Sequence, residues 1–265
     1  VLKLDLQNSQ AKTAIEEASV IFILDFNALN RVGDDMQNTL KEFAGIFMMI
    51  DHHQQPEDFS KYIFSDTSIC STCQMVYHYL EKLDDVEVID KDIATCIYTG
   101  IMTDTGSFRF PSTSPDTHEL IAKLSRAGVK HNEVHENVYD TNTLDRIRLR
   151  GYALSEKMEI WEEYKTAVIY LTEEELKKYN YRKGDTEGLV NTALSIVGIQ
   201  RAAYFSESEG YVKISFRAKG EGNEINELAS KYFEGGGHKF AAGGRHDLPI
   251  ESAVALFKKA LKDEK

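Results

Sequence analysis

Cysteine, proline and tryptophan are scarce in this chain. Its 265 residues include 3 Cys, 4 Pro and 1 Trp. The cysteines are Cys70, Cys73 and Cys96. An odd, small count argues against a disulfide framework. The "CSTC" spacing at 70–73 superficially suggests a zinc or redox pair. No second pair follows to complete four ligands, so small residues packed in a helix are the simpler reading. Long apolar runs are missing too. No stretch approaches a membrane span, and no basic segment leads into a hydrophobic one at the N-terminus. No membrane partner is expected, and the default location is cytoplasmic. Basic residues are the third shortage, with 31 Lys and Arg against 43 Asp and Glu, a net charge of −12. Residues 1–150 carry 14 basic and 24 acidic groups, a net of −10. Residues 151–265 carry 17 and 19, a net of −2. A broad electropositive surface for long nucleic acid is therefore not expected. A small phosphorylated ligand held by a few placed cations or metals fits this balance.

The hydrophobic fraction, 42%, suits a globular protein of one or two domains. "ASVIFILDFNAL" (18–29) is an apolar, β-branched run that breaks at Asp25, and "GIFMMIDHH" (45–53) repeats the plan. Neither alternates, so both read as strands buried on both faces of a parallel sheet. "DDMQNTLKEFAG" between them suits a crossover. Helical patterns follow at 71–83, 91–106 and 114–128, the last with an N-cap signal and a glycine stop. Helices at 132–140 and 143–158 come next. From Glu159 the character changes. "KTAVIYLT" (165–172) and "RAAYFSESEGYVKISF" (201–216) read as a strand and a hairpin, interleaved with short helices. The fold class is α/β, with a parallel-sheet first domain and a smaller α+β second domain. The expected division is 1–142, a connecting helix at 143–158, and 159–265.

Three sites share one design. Asp25 ends a buried strand, Asp51-His52-His53 ends another, and Asp104 in "MTDTG" follows an apolar helix. Ligands of open α/β sheets bind beyond the carboxyl ends of the strands. Carboxylates and imidazoles converging there need compensation, which a divalent metal provides. Asp and His together suit Mn, Zn or Fe. Taken singly, Asp25 or Asp104 is better explained as a helix cap or turn former. Neighbouring residues of an extended strand point to opposite faces, so the chain must bend for both imidazoles to share a site.

The second dense signal is "YFEGGGHKFAAGG" (232–244). Three successive glycines cost backbone entropy and add nothing to a core. They suit a place where backbone approaches a ligand or another chain closely, and in a loop their N–H groups can form an anion nest. Strand alternation places Ile214 and Phe216 on one face and Ser215 and Arg217 on the other. His238 and Arg217 could line a ligand groove, or belong to a mobile glycine loop and a solvated surface.

Taken together these elements resemble the DHH/DHHA1 phosphoesterase family, over essentially the whole chain and in the family's order. "LDFNALNR", "MIDHH" and "IYTGIMTDTGSFRF" match the catalytic half, and "ISFRAKG" with "NELASKYFEGGGHKFAAGG" matches the DHHA1 half. The nearest subgroup is the nanoRNase type, which degrades very short oligoribonucleotides and dephosphorylates 3′-phosphoadenosine-5′-phosphate. The resemblance implies that Asp25, His52 and Asp104 are metal ligands, with Asp25 bridging two ions, usually manganese. It implies that His53 lies toward the scissile phosphate and that Asp51 supports the site. It assigns the substrate's phosphate end to Arg217, Gly235, Gly236, Gly237 and His238. Partners are then short RNA or nucleoside bisphosphates, and family members are commonly homodimers.

One motif is not matched. The family has a His-x-x-x-Asp-x-Asp element before the first Asp motif, and nothing in residues 1–24 resembles it. Only Asp5, Glu16 and Glu17 are acidic there, and no His precedes His52. "VLKLDL" at the start reads as a strand already inside the sheet, so the expectation is a DHH domain whose N-terminal part lies outside this chain. A cyclic- or linear-dinucleotide phosphodiesterase of the same family, or a nucleotide-binding protein without catalysis, stays open as an alternative. A family II-type pyrophosphatase is disfavoured by the "GGGH" and "SFR" elements.

Overall fold

The computed structural model describes residues 9–208, 210–247 and 249–263. The expected strand at 1–6 lies outside the described residues. The chain divides into two compact units, residues 1–140 and 141–265. Among the described residues no helix is long and apolar enough to cross a membrane.

The first unit begins with α1 (Ser9–Glu17), β1 (Val20–Leu24), α2 (Asp34–Lys41) and β2 (Ile46–Asp51), followed by β3 (Tyr62–Ser65). The three strands form one parallel sheet in the order β1-β2-β3. Four helices complete the unit: α3 (Thr72–Lys82), α4 (Lys91–Asp104), α5 (Pro115–Arg126) and α6 (His131–Tyr139). Strand β2 is central and buried, as a continuous apolar run requires. Strand β1 differs from expectation. Ile23 is buried, but Val20, Phe22 and Leu24 are exposed. That face is thinly covered: Phe22 meets the Tyr79 ring of α3 at 6.1 Å between centroids and is still 48% exposed. Strand β3 carries no clear sequence signal, being four residues after a polar loop.

Helix starts follow their side chains. The Ser71 hydroxyl accepts from the Gln74 N–H at 3.0 Å and opens α3. Asp90 caps α4, and Ser114 with Thr117 forms a capping box on α5, with Pro115 at the first turn. Helices α3, α4 and α5 share a core that includes Tyr77, Ile97, Ile101 and Leu124. Each such side chain contributes roughly 1.5–3 kcal/mol by leaving water.

The second unit runs α7 (Leu144–Ser155), β4 (Met158–Trp161), β5 (Thr166–Leu171), α8 (Glu173–Lys178), α9 (Leu189–Leu194), β6 (Arg201–Ser208) and β7 (Tyr211–Ala218). It ends with α10 (Asn226–Tyr232), β8 (Gly236–His238), β9 (Ala241–Asp247) and α11 (Ile250–Asp263). Helix α7 stops at Ser155, and Met158 already belongs to β4, so the connecting helix is shorter than 143–158. The sheet order is β4-β5-β6-β7-β9-β8. One face carries Val168, Ala203, Phe205, Ile214 and Phe216 and is sealed by Phe233 and by Phe257 of α11. On the other face, Leu149 and Ala153 of α7 and Leu189 and Val190 of α9 pack on Ile169, Ala202 and Tyr204. That cover rests on β5 and β6 and reaches the near part of β7. On the same face, Lys213 of β7, Arg245 of β9 and His238 of β8 are exposed.

Candidate metal centre and the open face of the second sheet

The parallel sheet delivers its polar residues at the carboxyl ends of β1 and β2. Asp25 continues the ladder, its N–H donating to the Ile50 carbonyl at 3.4 Å. Its backbone then turns left-handed, with φ +68°, a conformation few non-glycine residues adopt but Asp tolerates. The Thr72 hydroxyl donates to Asp25 Oδ1 at 2.8 Å. Asp51, the last residue of β2, is fully buried. Its Oδ1 accepts from the His53 N–H at 2.7 Å, and its Oδ2 lies 2.9 Å from His53 Nδ1. His52 Nδ1 lies 3.2 Å from the Ile69 carbonyl oxygen. A carbonyl only accepts, so Nδ1 carries the proton and Nε2 keeps its lone pair. That Nε2 is 3.7 Å from Asp25 Oδ1. The two imidazole rings meet edge to face with centroids 4.8 Å apart, so the chain does bend after β2.

Asp25, His52 and His53 each present one ligand atom, all within 4.8 Å of one another. Asp104, the last residue of α4, lies outside that close set but within reach of its charges. Crowding by protein pushes its carboxyl up to about 6, the negative charge of Asp25 adds to this, and His52 and His53 pull the other way. Burial also acts to raise Asp51, but the bonds and charge of His53 overcome it and hold Asp51 below the ordinary carboxylate range. His53 is raised, first by its bond to Asp51, with burial opposing.

The donor set fits a divalent cation. Both histidines have Nδ1 engaged by an oxygen behind them, the arrangement that orients metal-ligating imidazoles. Asp25 and Asp104 penalise each other as anions, which a cation reverses. The cysteines do not join in. Burial raises the Cys73 thiol to about 11, and the charges of Asp104 and Asp25 add to it, so it stays protonated near neutral pH.

In the second unit the paired strands align Ala202, Arg217, Ala241 and His238 in one row across the open face. Tyr204, Ser215, Gly243 and Gly236 form the next row, and Ser206, Lys213 and Arg245 the one after. Cross-strand partners share a face, so Arg217 and His238 point to the same side, two strands apart. Burial lowers the Arg217 pKa from its ordinary value, and Glu187 acts against that. Its Nη1 donates to the Phe216 carbonyl at 2.8 Å.

The glycine triplet is not a loop nest. It lies at the start of the edge strand β8, hydrogen-bonded to β9. The physical reason is close approach. A Cβ at Gly235 would collide with the Gly243 carbonyl oxygen, and one at Gly237 with the Ala241 carbonyl oxygen. Gly236 is different: a Cβ there would meet nothing within 4 Å, and its φ is not left-handed. Neither packing nor conformation requires glycine at that position.

Sequence reasoning missed Thr72. It reads as the start of a helix, and Asp25 is 47 residues away.

Comparison with known proteins bears on both halves. The family model for the DHH family, N-terminal domain, matches residues 1–101, and that for the DHHA1 domain matches residues 163–264. The crystal structure of an exopolyphosphatase-related protein from Bacteroides fragilis is similar, with a TM-score of 0.91 and 39% identity, covering 97% of this chain and 75% of that one. The bifunctional oligoribonuclease and PAP phosphatase NrnA of Bacillus subtilis is 29% identical over 228 residues, 86% of this chain and 70% of that protein. RecJ from Thermus thermophilus, solved in complex with Mn2+, has a TM-score of 0.51 at 11% identity, covering 96% of this chain and 46% of that one. At that identity only the fold is shared.

Proposed function

Because the chain belongs to the DHH/DHHA1 family of phosphoesterases, we propose that it hydrolyses short oligoribonucleotides to mononucleotides, 3′-phosphoadenosine-5′-phosphate to AMP, or both. The observation that carries this reading is the convergence of Asp25, His52 and His53 at the strand ends, within 4.8 Å. Asp25, His52 and Asp104 would hold the divalent cations, two manganese ions in this reading. The cations supply Lewis acidity toward the phosphoryl group and a nucleophile at neutral pH. His53 faces the scissile phosphate. Asp51 orients its ring and raises its pKa, which favours the form that donates to a phosphoryl oxygen.

The second unit binds the other end of the substrate. Arg217 offers a planar fork of donors suited to phosphate. His238 lies in the same row, and the backbone at Gly236 is bare, so a ligand can approach the edge strand closely. Two features support a short substrate over a long one. The chain is acidic, with a net charge of −12, and the cations of this face are confined to Arg217, His238, Lys213 and Arg245 among its described strand residues. A cytoplasmic location and a homodimer complete the proposal, and nucleotides of this size are cytoplasmic metabolites.

The test is hydrolysis of a diribonucleotide and of 3′-phosphoadenosine-5′-phosphate by the full-length protein, with and without manganese. Turnover of at least one, abolished by a chelator and restored by Mn2+, is expected. No turnover of either would sink the proposal.

A further inference from the structure

We infer that Thr72 is a positioning residue for the metal centre, setting the orientation of the Asp25 carboxylate. The inference rests on the proposed role of Asp25 as a ligand.

Asp25 by itself is poorly restrained. Its side chain is 58% exposed, and it stands past the end of β1 on a left-handed backbone at φ +68°. A carboxylate with that much freedom pays an entropy cost when it takes one geometry around an ion. The Thr72 hydroxyl removes part of that freedom through its 2.8 Å bond to Oδ1. One oxygen atom is thereby tied, and the carboxylate plane can no longer rotate independently.

Thr72 can do this because it is itself rigid. It is 4% exposed and is the first residue of α3, directly after the cap. The cap is Ser71, fully buried, so the Thr72 hydroxyl is not needed to open the helix. Gln74, a half-turn on, accepts from the Thr117 hydroxyl at 2.9 Å and from the Cys70 thiol at 3.0 Å, which ties the start of α3 to α5. Cys73 packs so closely on α4 that a Cβ at Gly100 would collide with its sulfur. Gly100 is one turn before Asp104. The start of α3 thus clasps Asp25 on one side and rests on the last turns of the helix that ends in Asp104.

The experiment compares Mn2+ binding to full-length wild type, Asp25→Ala, Thr72→Val and Thr72→Ser by calorimetric titration, alongside melting of each protein without metal. Thr72→Val keeps shape and removes the donor. It should weaken Mn2+ binding by about 10–100-fold, the usual loss for an outer partner of a metal ligand, with its metal-free melting temperature close to wild type. Thr72→Ser restores the hydroxyl and should bind near wild type. If Asp25→Ala binds Mn2+ as wild type does, Asp25 is not a ligand and the inference falls with that reading. If Asp25→Ala binds weakly while Thr72→Val binds normally, Thr72 alone is wrongly assigned. Equal weakening in Thr72→Val and Thr72→Ser, with both melting early, would assign Thr72 to folding and overturn the inference.

Discussion

The two halves of the chain build their polar surfaces in opposite ways. The first concentrates side chains. Asp25, Asp51, His52 and His53 emerge from adjacent strand ends, and the fold turns the backbone left-handed at Asp25 to bring them together. The second removes side chains. Along β8 and β9 the residues are mostly glycine and alanine, and Arg217 and His238 stand above a low floor. A dense cluster of ionisable groups destabilises itself unless an ion joins it, which suits chemistry. A face floored by small residues, with its cations spaced along it, costs less to keep open, which suits holding a ligand. The charge balance has the same asymmetry, −10 in residues 1–150 against −2 in the remainder.

The comparison breaks most severely at His52. His52→Ala should abolish Mn2+-dependent hydrolysis and leave the fold intact, since the side chain is only partly buried and lies at the rim of the sheet, outside the apolar core. Activity assay and circular dichroism check this, and retained turnover would remove His52 from the metal centre. In the second half the contrast lies between neighbouring glycines. Gly235→Ala should lower stability by ~1–3 kcal/mol, because the new methyl meets backbone that cannot move aside. Gly236→Ala should leave the melting temperature nearly unchanged and raise KM. Denaturant titration and kinetics on the same pair of variants separate these outcomes. Equal destabilisation by both would mean that Gly236 is structural too.

Arg217→Ala sharpens the same division from the binding side. Removing a charged hydrogen bond should weaken substrate binding by ~1–3 kcal/mol while kcat changes far less. A fall in kcat with KM unchanged would move Arg217 from holding the substrate to the chemical step.

The first half was the more legible in sequence, for physical reasons. Strand β2 is an unbroken apolar run, and a run that stops at Asp-His-His announces both the strand and its functional end. The Ser114 cap and the helix after it follow from local hydrogen bonding alone. Burial of β1 on both faces was a wrong expectation, because an apolar run does not reveal how much cover each face of its strand receives. Composition misled again at 235–244. Glycine is depleted in strands, so "GGGHKFAAGG" reads as a loop. The hairpin forms because β9 pairs with β7, and that long-range partner lies 24 or more residues away in the chain. The Thr72 bond to Asp25 is hidden for the same reason: local sequence explains a Thr after a Ser cap without it.

The smallest expected effect is a reversal in how the two halves tolerate negative charge. Glu175 in the second unit is a relieved carboxylate. Burial acts to raise it, but the Tyr152 hydroxyl, the Thr172 N–H and Lys157 outweigh that and hold it below its ordinary value. Its contribution to stability is present above pH 4.5 and is lost as pH falls through its lowered pKa. Asp104 is the converse, pushed from 3.8 up to about 6 by crowding and by Asp25. A raised carboxyl favours the folded state fully below pH 3.8, and that benefit is lost as pH rises through about 6. Metal-free wild type should therefore be held back at pH 8 by an ionised Asp104 that Asp104→Asn does not carry. In chelator at pH 8 the variant should melt slightly higher than wild type, with the gap closing toward pH 4. Mn2+ should reverse the order at pH 8, because only the carboxylate gains from the cation. Scanning calorimetry at the two pH values, with chelator and with Mn2+, decides the matter. A variant that melts no higher than wild type in chelator at pH 8 would mean that Asp104 is comfortable as an anion without metal, and the contrast with Glu175 would disappear.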